Sequence, residues 1–199
     1  MVSLAYICFV APRNADTKED ILRLGTELIQ LYGYNAFSYA DIAKNLQIRN
    51  AAVHYHYPGK EDLLAGIIDN YIEKYRQLEA SLNQPGITAL QKLEAYMARY
   101  TEIVEQNKIC IIGSVCSDYN TLPASVKERI HDLVTMVLDM VEKVLLEGKR
   151  LKQFHFTGNA RTQTLLIMTN LAAGAQLSRI TGKADYLAIC KGIVQQLKA

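Results

Sequence analysis

The chain has 199 residues, half of them hydrophobic, with 21% charged side chains and a formal net charge of +2. That length fits one domain or a small one plus a larger one, with ample material for a core. The bulk charge does not point to nucleic acid, because residues 13–62 carry six basic and seven acidic side chains, so any such case must rest on local distribution. Four cysteines, Cys8, Cys110, Cys116 and Cys190, lie scattered without paired spacing. This pattern argues for a reducing, cytoplasmic setting and against a disulfide framework.

The apolar segment Val2–Pro12 lacks the basic leading region of a signal peptide and is short for its apolar stretch. It reads as a surface extension or as sequence ahead of the true start. No run is long enough to span a membrane. The first helix is expected to open at Asp16-Thr17, with Thr17 and Asp20 as a capping box. Ile21, Leu24, Leu28, Leu31 and Tyr32 form its apolar stripe, and Gly33 ends it. Ser38 and Asp41 predict a second capping box. Ile42, Ala43 and Leu46 are the inner face of the helix it starts, and Ile48 and Val53 bury the turn and the helix that follows. A long fourth helix is predicted from Gly59 to about Leu82, with Glu61 and Asp62 suiting its positive end.

Asn83-Gln84-Pro85-Gly86 is the clearest break. Thr88 and Gln91 then open a fifth helix striped by Leu90, Leu93, Met97, Tyr100 and Val104, and Ile109–Tyr119 is a short apolar sixth segment. Pro123 suits the first turn of a seventh helix reaching Gly148. A loop spans 149–158, and two last helices are expected over Asn159–Thr181 and Ala184–Lys198. With no strand pattern or repeat, the chain reads as all-α, about nine helices long, with a helix-turn-helix head at 13–62 and a body at 63–199.

The outward surface of the third helix, Asn50, Ala52, His54, Tyr55 and His56, is short and polar, as a major groove requires. From Ile42 to Lys60 there is no carboxylate, while Lys44, Arg49 and Lys60 are present. A surface that lies on phosphates must lack acids, and this one does. The run Ser-Tyr-Ala-Asp-Ile-Ala from Ser38, the ending His-Tyr-His-Tyr-Pro-Gly-Lys-Glu-Asp-Leu-Leu from His54, and the preceding helix resemble the DNA-binding domain of TetR-type transcriptional regulators. The resemblance covers residues 17–65, while the remainder is similar only in length and helical make-up. It implies that Ser38, Tyr55 and Lys60 touch phosphates and that Asn50, Ala51, Ala52 and His54 face base edges. Tyr39 and His56 are placed in the same interface. Three positions depart from the family pattern. Gln47 stands where the turn has glycine, Arg49 replaces the usual serine cap, so that Asn50 is expected to cap instead, and Ala51 replaces a frequent glycine.

Spacing by two points His54 and His56 to different helical faces, and His131 and His155 are distant in sequence, so no metal or cofactor site is expected. Neither His-Glu-x-x-His nor Gly-x-Ser-x-Gly occurs, and Pro58-Gly59-Lys60 lacks the rest of a phosphate loop, so an enzyme is not expected. A protein-interaction module without DNA binding is opposed by the acid-free recognition stretch. Tyr71, Tyr75, Tyr96, Tyr100 and Tyr119, with Cys110, either line a cavity for a small-molecule effector or finish the core. Cys110 or Cys116 as a thiol sensor is the alternative, with only Lys108 nearby to lower a thiol pKa. In the last two helices Leu165, Leu166, Thr169, Ala173, Leu177, Ile193, Val194 and Leu197 serve either an internal core or a homodimer four-helix bundle. The dimer is favoured because a helix-turn-helix gains affinity by pairing half-sites. The expected reading is a dimeric repressor that binds a palindrome in double-stranded DNA and is released by a small molecule.

Overall fold

The structure, a computed structural model, describes residues 17–198. The segment Val2–Pro12, Cys8 and Asp16 lie outside the described residues. Among the described residues there are nine α-helices and no strand: α1 (Thr17–Tyr32), α2 (Tyr39–Leu46), α3 (Asn50–His56), α4 (Lys60–Leu82), α5 (Ala89–Glu105), α6 (Ile111–Cys116), α7 (Ala124–Arg150), α8 (Ala160–Thr181) and α9 (Lys183–Lys198). Thr17, expected to cap the first helix, is instead its first helical residue. Pro123 sits at the N-cap of α7 rather than inside its first turn.

The head closes around Ile21, Leu28, Ile42, Val53, Leu63 and Ile67, each buried. α1 approaches α4 at Gly25, where a Cβ would come within 2.9 Å of Leu63 Cδ2. A side chain there would have to displace the buried tip of Leu63. The Ser38–Asp41 capping box forms in full, the Asp41 carboxylate accepting from the Ser38 backbone N–H and Oγ, both at 2.7 Å. The Thr88–Gln91 box starts α5 in the same way.

α4 belongs to both parts of the molecule. Its first half buries Leu63, Leu64, Ile67 and Ile68, and its second half packs Tyr71, Ile72, Tyr75 and Leu78 against the body. In the body, α5, α7 and α8 pack on one another around Leu93, Leu133, Val137, Val141 and Leu171. The small-residue run in α8 is divided. Gly174 and Ala175 are buried, and a Cβ on Gly174 would lie 2.9 Å from Ile189 Cδ1 of α9. Ala173 faces outward. The close helix approach that this run permits is made within the chain, between α8 and α9.

Besides the Lys108–Glu27 ion pair at 3.0 Å, three hydrogen bonds tie the head to the body. The Ile109 backbone N–H donates to the Gln30 carbonyl at 3.1 Å, Arg179 Nη2 donates to the Leu31 carbonyl at 2.6 Å, and Asn35 Nδ2 donates to Asp118 Oδ1 at 2.9 Å. The first two satisfy carbonyls in the last turn of α1, which have no partner within that helix.

Candidate DNA-binding interface and body cavity

The turn between α2 and α3 is built on Gln47, whose φ of 56° and ψ of 37° are left-handed. Its backbone N–H reaches the Ala43 and Lys44 carbonyls, so this conformation closes α2 without glycine. Arg49 occupies the N-cap of α3 with no side-chain capping bond, and Asn50 is already in the helix. The expected capping by Asn50 does not occur, and its side chain is left for the surface.

Arg49, Asn50, Ala51, His54 and Tyr55 are exposed on one side of α3, with Ala52 and His56 half-buried beside them. Lys44 and Ser38 are exposed on α2 and its cap. Tyr55 projects furthest, at 83% exposure, with the His56 ring edge-on to it at 5.1 Å. His54 Nδ1 lies 3.1 Å from the Pro58 carbonyl, an oxygen that can only accept. The bond therefore places the proton on Nδ1 and leaves Nε2 of the neutral ring as an acceptor.

Two expected contact residues have other work. Tyr39 is buried, donates its hydroxyl to the Gly59 carbonyl at 2.5 Å and packs edge-on against His54 at 4.8 Å. It pins α2 to the turn before α4 and supports His54 from behind, so it is a positioning residue. Burial raises its pKa and keeps the hydroxyl protonated as a donor. Lys60 turns inward. Its Nζ donates to the Phe37 carbonyl at 2.6 Å and sits 4.1 Å from the Phe37 ring centroid. Desolvation by burial lowers its pKa, against the pull of Asp118, Asp41 and Glu61. Two of its three N–H donors are left free by that bond.

The tyrosines separate into two layers. Tyr71 and Tyr75, with Gln30 of α1 and Arg99 of α5, line a cavity of about 250 Å³ between α1, α4 and α5. Tyr96 and Tyr100 lie behind them, fully buried, with centroids stepping 6.5, 6.1 and 5.9 Å from Tyr71 to Tyr75 to Tyr96 to Tyr100. The Tyr96 hydroxyl is buried without a well-formed hydrogen bond, with those of Tyr75 and Tyr100 beside it. The expected four-ring lining is thus half cavity wall and half core. Tyr119 is elsewhere, exposed in the α6–α7 connection under Lys127. Cys110 is buried, its Sγ accepting the Gly113 N–H at 3.2 Å as the cap of α6, and burial pushes its thiol pKa up. Burial also raises the Cys116 thiol.

On α8, Leu165, Leu166, Thr169, Ala173 and Leu177 share an exposed face, extended by Ile180 and by Leu187 of α9. Ile193 and Leu197 do not belong to that face. They are covered within their own chain, at 6% and 0% exposure, because the α9 stripe Tyr186, Ile189, Ile193 and Leu197 turns toward the protomer's core. Val194 is half-buried on the edge of that core. Ile180 was not singled out from the sequence, although the 3–4 spacing continued from Leu177 would have reached it.

With this geometry in place, comparison with known proteins is decisive. Residues 21–67 match the family described as "Bacterial regulatory proteins, tetR family", and residues 89–191 match "Tetracyclin repressor-like, C-terminal domain". The chain belongs to the TetR family. This TetR-family transcriptional regulator is similar to a TetR-family regulator from Agrobacterium tumefaciens, 27% identical, with 92% of this chain and 98% of that one aligned at a TM-score of 0.85. It is also similar to a TetR regulator from Legionella pneumophila, 27% identical, covering 94% and 100% at 0.83. Bacillus subtilis FadR, crystallised with stearoyl-CoA, shares the fold at 16% identity, covering 91% and 97% at 0.69. None of the curated proteins compared matches the chain. Fold and family are those of DNA-binding regulators rather than enzymes. Among the described residues no helix is long and apolar enough to cross a membrane, and no three or more His, Cys, Asp or Glu side chains are grouped so as to hold a metal ion.

Proposed function

We propose that this TetR-family chain is a ligand-responsive repressor that binds a palindromic operator as a homodimer and releases it when a small molecule enters the body. Arg49, Asn50, Ala51, Ala52 and His54 present the base-reading surface, while Ser38, Lys44, Tyr55, His56 and Lys60 stand where phosphates flank it. The exposed α8 face from Leu165 to Ile180 supports two-fold pairing. The head would comprise residues 13–62 and the body 63–199.

The observation that carries the sensing step is the position of Gln30. Its side is a wall of the tyrosine cavity, and its carbonyl is the one held by the Ile109 N–H. A ligand against Tyr71 and Tyr75 therefore touches α4 and the last turn of α1 together, so both helices that carry the head feel its binding. Two heads joined through their bodies must meet grooves about 34 Å apart, and a small change in the pose of α1 and α4 moves both. The fold shared with FadR, which was crystallised with stearoyl-CoA, supports the body as a place for an effector. The thiol alternative finds no support in the surroundings of Cys110, which is buried, engaged as a cap and without a cation to lower its pKa.

Selection from random duplexes followed by footprinting tests the reading. A two-fold symmetric site with protected half-sites one helical turn apart is expected, and a single unpaired half-site would refute the dimeric operator. Operator release by an alkylator in wild type but not in Cys110→Ser, Cys116→Ser protein would replace the cavity with the thiol.

A further inference from the structure

The cavity between α1, α4 and α5 has an uneven electrostatic lining. Lys74 and Arg99 both face it, and Lys74 has its pKa lowered by burial and by the charge of Arg99. Among the described residues neither cation has a carboxylate partner, although ion pairs are common elsewhere on the body. Glu102 shares the rim without pairing to either, and the third cation, Lys108, is already taken by Glu27 at 3.0 Å and Gln106 at 2.7 Å. Lys74 is held over the Tyr71 ring at 5.6 Å, which keeps its ammonium at the cavity.

The rest of the lining suits an apolar body with an anionic end. Leu78 and Ile103 add aliphatic surface to the two rings. Burial raises both tyrosine pKa values, that of Tyr75 to about 12, so their hydroxyls remain neutral donors and place no negative charge in the site. Two like charges held close at a partly desolvated cavity repel each other, and an anion between them relieves that repulsion while gaining charge-assisted hydrogen bonds.

We propose that the effector is a small organic acid, its carboxylate bridging Lys74 and Arg99 and its apolar body lying on Tyr71 and Tyr75. This rests on the effector reading above and adds the ligand's chemical class. It also assigns Lys74 and Arg99, which the sequence did not single out, as specificity-determining residues.

Two series matched in skeleton test it: octanoate, octanamide and octylammonium, and benzoate, benzamide and benzylammonium. Each is titrated calorimetrically into wild type, Lys74→Gln, Arg99→Gln and the control Arg76→Gln, which alters an exposed cation of α4 outside the cavity. Lys74 and Arg99 are exposed at the rim, so their variants should keep the fold, which circular dichroism checks. At least one acid should bind roughly tenfold or more tightly than its amide and amine, and each cavity variant should lose roughly tenfold while Arg76→Gln matches wild type. Acids binding wild type and Arg99→Gln equally, or none of the six binding, would overturn the assignment. Release of a selected operator is read in parallel. Release by a neutral or cationic member, from wild type and Arg99→Gln alike, would overturn the anion preference and leave the effector reading standing. No binding and no release by any member would count against both.

Discussion

Replacing Leu177 and Ile180 together by lysine tests the pairing surface most sharply. Both side chains project from α8 into solvent in the single chain, Leu177 with 51% and Ile180 with 89% exposed. Burying a leucine or isoleucine completely is worth about 1.5–3 kcal/mol, so covering what these two expose contributes roughly 2–4 kcal/mol per protomer. A two-fold interface uses each residue twice, which gives roughly 4–8 kcal/mol per dimer. At about 1.4 kcal/mol per factor of ten, the dissociation constant rises by about three to six powers of ten, before repulsion among the added charges. Sedimentation velocity at micromolar concentration reads the result directly. Wild type should run as a dimer and the double variant as a monomer with unchanged helicity, since neither side chain enters the core. A double variant as dimeric as wild type would refute the reasoning and move the interface off α8.

Gln47→Gly should stabilise the protein by about 0.5–1 kcal/mol in urea unfolding, since it relieves a left-handed non-glycine residue but loosens the unfolded chain. Ser38→Ala should cost about 1 kcal/mol by loss of the cap. The Asp41 pKa is lowered chiefly by its bonds to Ser38, so its stabilising contribution is complete above the unfolded carboxylate range and is lost as pH falls through the folded value; the variant's acid unfolding curve should be flatter over that window. Tyr39→Phe should weaken the head by about 1 kcal/mol, because it removes the bond to Gly59, and shift base preference at the position proposed for His54. Lys44→Ala should weaken binding to every duplex alike and reduce the salt slope by about one unit, and a changed sequence preference would contradict a phosphate role.

Most of the fold was legible because its boundaries are chemical. Ser38–Asp41 and Thr88–Gln91 announce helix starts, Pro85-Gly86 a break, and the spacing of Ile21, Leu24 and Leu28 a helix face. What could not be read was which of two plausible apolar neighbours each stripe meets. Ile193 and Leu177 are equally hydrophobic, and only packing shows that one turns inward and the other out. Lys60 likewise reads as a surface cation until the Phe37 carbonyl and ring are seen to hold it. Lys74 and Arg99 are invisible as a pair because they lie on different helices, and an unmatched charge is recognised only once its neighbours are known.

The grip of the body on the last turn of α1 bears on protein engineering. Heads of this family look separable, as a cassette ending within α4 that could be grafted to another body to give a new operator specificity. Here such a graft would sever the bonds from Ile109 and Arg179 to the backbone of α1 and from Asp118 to Asn35, which arise from three separate places in the body. The first two address main-chain carbonyls and so tolerate a foreign sequence, provided that α1 has the same length and ends at the same angle. The third needs an amide at position 35. A hybrid matched only at the splice in α4 would bind DNA yet respond weakly to its effector, whereas one matched also in the length of α1 and in Asn35 would keep its inducibility.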